Sequence, residues 1–113
     1  MEIVEQSISL KELKKMAEEL FGNMVKAVVD IDKKIMAVNA ELHADEESEL
    51  LKGGSKQEDL WGINIYPDLS AEDRIEFDSM INLRPSQNNR SRSVEDPKIR
   101  QTILKIVKEL VKE

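Results

Sequence analysis

Arginine, asparagine and serine crowd one stretch of the chain. Residues 82–92 read Asn82-Leu83-Arg84-Pro85-Ser86-Gln87-Asn88-Asn89-Arg90-Ser91-Arg92, and no acid lies between Asp78 and Glu95. The chain carries 17 basic and 23 acidic residues, a net charge of −6, so this stretch is a local reversal of sign. Guanidinium forks match phosphate and carboxylate oxygens two at a time. Arg84, Arg90 and Arg92 are therefore candidate clamps for an anion, with Asn82, Gln87 and Asn88 as orienting donors. The stretch runs toward a helix N-terminus, whose free amides also favour anions. The ligand classes that fit are a nucleotide, a phosphorylated metabolite or an RNA backbone. The plainer reading is a surface loop whose arginines pair with nearby carboxylates. Its Asn and Ser side chains would then satisfy their own turns.

A second group surrounds the only histidine, in Glu41-Leu42-His43-Ala44-Asp45-Glu46-Glu47. Histidine beside carboxylates suits general-base work or metal binding. Glu76 and Asp78 join His43 if the strands pair suitably, which gives a rival reading: a small acid–base or metal-assisted enzyme with His43, Glu76 and Asp78 in its site. One histidine among carboxylates serves zinc poorly. Magnesium or manganese on Asp45, Glu76 and Asp78 is acceptable chemistry. No spacing singles out such a site, so no metal and no cofactor is expected. The plainer reading puts His43 at a strand end or helix cap and the acids in a solvated first helical turn. Trp61 and Tyr66 could stack bases beside a basic loop, but with four aromatics in the chain, Trp61 and Phe77 read as core.

Several chemistries are excluded. Without cysteine there is no disulfide, thiolate ligand or thiol nucleophile. No nucleophile elbow is present, and the arginine-rich stretch lacks the glycines of phosphate-cradling loops. The acidic balance argues against wholesale wrapping of nucleic acid. No apolar run approaches the roughly 20 residues that span a bilayer. The first residues, MEIVEQSISL, carry acids where a signal peptide carries bases. The expectation is a cytoplasmic protein with no membrane partner, in one domain over residues 1–113.

The elements that must position these residues are legible. Ser9 and Glu12 have capping-box spacing ahead of a helix to about Phe21, with Ile8 and Leu13 as its hydrophobic staple. Leu10, Leu13, Met16, Ala17, Leu20 and Phe21 fall on one face, and Gly22 is placed to end it. Val25 to Ile31 and Met36 to Leu42 alternate as a hairpin around Asp32-Lys33-Lys34. A short helix over Asp45–Lys52, a strand over Leu60–Tyr66 and a long strand over Arg74–Leu83 follow. Asp96 and Pro97 then open a helix that runs to about Lys112, with Ile99, Ile103, Ile106, Val107 and Leu110 as its stripe.

The segments SKQEDLWGINIYPD (55–68) and FDSMINLRPSQNNRSR (77–92) resemble a small family of uncharacterised bacterial and archaeal proteins, a domain of unknown function. The resemblance extends over nearly the whole chain. It implies no activity, ligand or catalytic residue, so the residues themselves must carry the reading.

The element order predicts an α+β fold, α-β-β-α-β-β-α. Its four-stranded antiparallel sheet would carry the two long helices on one face, in two layers. The other face would display Lys26, Asp30, Glu41, His43, Asn64, Tyr66, Glu76, Asp78 and Asn82. Such a face is solvated, lines a site, or meets a partner protein or a second copy of the chain.

Overall fold

The computed structural model describes all residues from Met1 to Glu113. Its elements are β1 (Glu2–Val4), β2 (Ile8–Ser9), α1 (Leu10–Leu20), β3 (Val25–Asp30), β4 (Ile35–Val38), α2 (His43–Lys52), β5 (Leu60–Ile65), β6 (Ile75–Glu76), α3 (Pro97–Leu110) and β7 (Val111–Lys112). Single 3-10 turns lie at Gln57–Asp59, Met80–Asn82 and Pro85–Gln87. The fold is α+β.

Local signals set the long helices. The Ser9 hydroxyl accepts the Glu12 amide at 3.0 Å, and Asp96 accepts the Lys98 amide at 2.8 Å with Pro97 behind it. Gly22 leaves α1 at φ 94°, where a side chain would be strained, and its amide reaches the Ala17 carbonyl at 2.6 Å.

The main sheet is antiparallel throughout, in the order β1-β4-β3-β5-β6. Its centre is β3, whose Val25 to Asp30 pair with Ile65 to Leu60 of β5. Both edge strands are very short, which denies another chain a long row of free backbone groups. A separate parallel pair joins β2 to β7, Ile8 to Val111 and Ser9 to Lys112.

Helices α1 and α3 lie on one face, as the stripes require. Leu13, Ala17, Ile103, Ile106, Val107 and Leu110 pack there against Ala27, Val29, Met36, Val38, Trp61 and Ile63. Leu13 is fully buried. Leu13→Ala is expected to lower the unfolding free energy by about 2–5 kcal/mol in urea titrations. A loss below about 1 kcal/mol would contradict this burial of α1.

Three expectations are corrected. The sheet has five strands, because Glu2–Val4 pairs with β4 as an added edge. The long strand expected over Arg74–Leu83 pairs only at Ile75–Glu76 and then leaves the sheet, because the chain turns in 3-10 form at Met80–Asn82. The two-layer arrangement becomes three, because the second sheet face is covered. Helix α2 lies on it through Leu50, against Val28, Ala37 and Leu60, with Ile81 of the 3-10 turn packed beside them. All six residues of β5 are buried, as expected of a strand covered on both faces. The polar face is therefore buried in part: Asp30, His43, Asn64 and Asn82 lie within the covered layer, while Glu41 and Glu76 stay exposed.

Candidate functional site

The arginine-rich stretch is not a loose loop. Residues 79–93 fold as a plug over β5, held by two buried asparagines. The Asn82 amide pairs with the backbone of Gly62 in both directions: Oδ1 accepts the Gly62 N–H at 2.8 Å and Nδ2 donates to its carbonyl at 2.9 Å. Nδ2 also donates to the Arg92 carbonyl at 3.0 Å. The approach is close enough that a Cβ on Gly62 would lie 2.5 Å from the Ser79 Cβ. Asn89 completes the plug, donating to the carbonyls of Asn82 and Ser93 at 2.7 Å each and accepting the Glu95 amide at 2.9 Å. Asn88 occupies the left-handed region at φ 59°, which turns the chain so that Arg84 and Asn89 exchange backbone hydrogen bonds.

Arg84 is also committed to the fold. Its guanidinium stacks on Trp61, 4.1 Å from the ring centroid, and donates to the carbonyls of Gln57 and Leu60. Burial lowers its pKa from the usual value, and the carboxylate of Glu47 opposes that shift. Gln87 donates to the Glu58 carbonyl at 3.1 Å. Of the expected clamps, Arg90 and Arg92 remain on the surface. Arg92 pairs through Nε with Asp78 Oδ1 at 2.7 Å, both side chains about half exposed. The side chain of Arg90 enters no ion pair.

Asp78 is where this stretch meets the second group. On the second sheet face, His43 starts α2, and its Nε2 lies 2.8 Å from the Ile63 carbonyl of β5. The next residue, Asn64, donates to Glu76 Oε1 at 2.9 Å and to the Asp78 carbonyl at 3.3 Å. The Tyr66 hydroxyl donates to the same Glu76 oxygen at 3.1 Å. Burial lowers the His43 pKa below its usual value; the charge of Lys26 adds to this, while that of Asp78 opposes it. Tyr66 is shifted up, first by desolvation and then by its bond to Glu76. The structure thus gathers His43, Glu76, Asp78 and Arg92 with Asn64 and Tyr66, and leaves Asn82 and Arg84 in the packing. Asp45 is exposed on α2, and no three acidic or histidine side chains are grouped to hold a cation.

Two residues of this layer were not among the candidate site residues. Glu46, taken for part of a solvated turn, is fully buried. Its Oε2 accepts the Ala40 amide at 3.1 Å, and desolvation pushes its pKa up to about 9. The signal was present: His43, Glu46 and Leu50 stand at helical spacing, so the stripe that buries Leu50 buries Glu46 too. Asn64, between Ile63 and Ile65, is the one polar side chain in an otherwise apolar strand. Its Oδ1 is buried without a hydrogen-bond donor, as is Glu46 Oε1.

No helix is long and apolar enough to cross a membrane. No curated protein and no solved structure matches the chain. Residues 2–110 match the family described as "Protein of unknown function (DUF5674)", and the chain belongs to that family.

Proposed function

We propose that the protein binds a small anionic molecule, of the phosphorylated or carboxylate class, beside Asp78. Arg92 is its charge clamp, with Arg90 as a second cation from the same plug. The observation that carries this reading is the meeting at Asp78: the surface arginine bonds a carboxylate whose charge reaches His43. The Arg92–Asp78 pair is about half exposed, and such pairs contribute roughly 0–1 kcal/mol, so an incoming anion can displace Asp78 from the guanidinium.

The acid–base reading has its own support in His43. The Ile63 carbonyl can only accept, so Nε2 carries the ring proton and Nδ1 is the basic nitrogen. A histidine held neutral by burial would accept a proton from an anion bound within reach of its Nδ1. Binding comes first in this reading, and proton transfer is a step that such binding would permit.

The test is titration with inorganic phosphate, a nucleoside diphosphate, a sugar phosphate and a dicarboxylate, followed by amide chemical shifts. Loss of one charge-assisted contact removes about 1.5–3 kcal/mol, so Arg92→Ala is expected to weaken binding about tenfold or more. Asp78→Asn, which frees Arg92, is expected to tighten it. Unchanged affinity in the Arg90→Ala, Arg92→Ala double variant would end this reading. Binding of a short single-stranded RNA with steep salt dependence, in preference to the small anions, would replace it.

A further inference from the structure

A groove runs between α3 and the turn that precedes β6. Its cavity is about 480 Å³, within the size range of small-molecule sites. The floor is apolar, made by Ile75 of β6, Leu104 and Val107 of α3, and Val111 of β7. The rim is mostly basic, with Arg74, Lys108 and Lys112, against the acids Glu72 and Glu113.

Arg74 marks the polar end. Its side chain is only 12% exposed, and it is held in place by donating from Nε and Nη2 to the Leu69 carbonyl at 3.3 and 3.2 Å. Nη2 also meets the carboxylate of Glu113 at 3.0 Å, while the Glu113 side chain is 66% exposed. A fixed, nearly buried guanidinium at the end of an apolar trough is thus met by a loosely held carboxylate from the chain itself.

We infer that this groove is a binding site for a monomeric carboxylate with an apolar tail, a medium-chain fatty acid anion in chemical terms, and that Glu113 occupies the place of its headgroup in the empty state. The tail lies along Ile75, Leu104, Val107 and Val111, where it removes apolar surface from water. The headgroup takes Arg74, whose fork favours a carboxylate over a hydroxyl. Lys108 and Lys112 add to the attraction, and Glu72 opposes it. Because Glu113 is tethered beside Arg74, it competes at high local concentration, and the ligand must displace it. The same contact therefore moderates affinity.

The experiment is an amide chemical-shift titration with decanoate below its micelle concentration, with decanol and acetate in parallel. Shifts are expected at Ile75, Leu104, Lys108 and Val111. Decanoate is expected to bind about tenfold tighter than decanol, the size of one charged contact, and acetate not measurably. Glu113→Gln is expected to tighten decanoate about fivefold and leave decanol unchanged, a split that lost packing would not produce. Arg74→Gln is expected to abolish the preference for decanoate. Leu104→Glu, at a position partly exposed and so tolerant of change, is expected to weaken both tailed ligands. Equal binding of decanoate and decanol would overturn the inference, as would shifts that avoid the groove or no response to Glu113→Gln.

Discussion

Stability is expected to fall as the pH is raised from 5 to 9, and Glu46→Gln to remove most of the fall. The carboxyl of Glu46 is buried, with a folded pKa near 9 against an ordinary value of 4.5. Desolvation is the chief cause, because the ionised form would lose its water with the Ala40 amide and the charges of Lys26 and the N-terminal ammonium as partial compensation. A carboxyl whose folded pKa is raised holds its proton in the native state while the unfolded chain releases it. Its stabilising contribution is full below the unfolded pKa and is lost as pH climbs toward the folded one. The slope between them is at most about 1.4 kcal/mol per pH unit, and water reaching the site would reduce it. Glutamine keeps an oxygen for the Ala40 amide and has no proton to lose. Urea titrations at several pH values decide the matter: parallel profiles for wild type and Glu46→Gln would show that Glu46 is ionised in the fold. His43 acts in the opposite sense, since burial depresses its pKa. Its contribution is present above its usual 6.5 and declines as the pH drops through the lowered folded value. Below pH 6.5 the two groups oppose each other, and above it the decline belongs to Glu46.

Asn82→Ala is expected to be at least as damaging at every pH. The substitution strips the side-chain partner from the Gly62 N–H and the Gly62 carbonyl, and leaves the Arg92 carbonyl with the Ser79 amide alone. An abandoned buried polar group costs about 1–3 kcal/mol, so a loss of about 3 kcal/mol or more is expected where domains hold roughly 5–15 in total. Asn82→Asp restores the acceptor and no donor, and should recover only part of the loss. Amide hydrogen exchange gives the sharper reading: Gly62 should lose protection in the alanine variant and keep part of it in the aspartate variant, while Leu13 in α1 keeps more of its own. Equal protection at Gly62 in the wild type and the alanine variant would show that Asn82 does not hold the plug.

The same asparagine explains where sequence reasoning stopped. Caps and stripes are local, so Ser9, Gly22, Asp96 and Pro97 announced both long helices, and alternation announced β3 and β5. The run Arg74–Leu83 also alternates, yet beyond Glu76 it pairs with nothing. Its apolar and polar residues serve a turn packed on β5, and no periodicity separates that from a strand. Arg84 shows the converse limit. A guanidinium in a polar stretch reads as a ligand clamp until Trp61, distant in sequence, is seen beneath it. Glu46 was legible by spacing, but acids beside it in sequence suggested solvent. What could not be read was which element covers the second face, because that depends on the path of the plug.

The small parallel pair between β2 and β7 has a kinetic meaning. It joins Ile8 to Val111 and Ser9 to Lys112, and Ser9 is also the cap of α1. Closing a loop of that length is the most distant pairing in the fold, and such contacts form only after most of the chain is in place. A helix that looks self-sufficient in the sequence therefore has its first residue fixed among the last events of folding. During synthesis α1 can form early as a fluctuating turn structure, but its entry angle onto the sheet waits for the strand that follows α3.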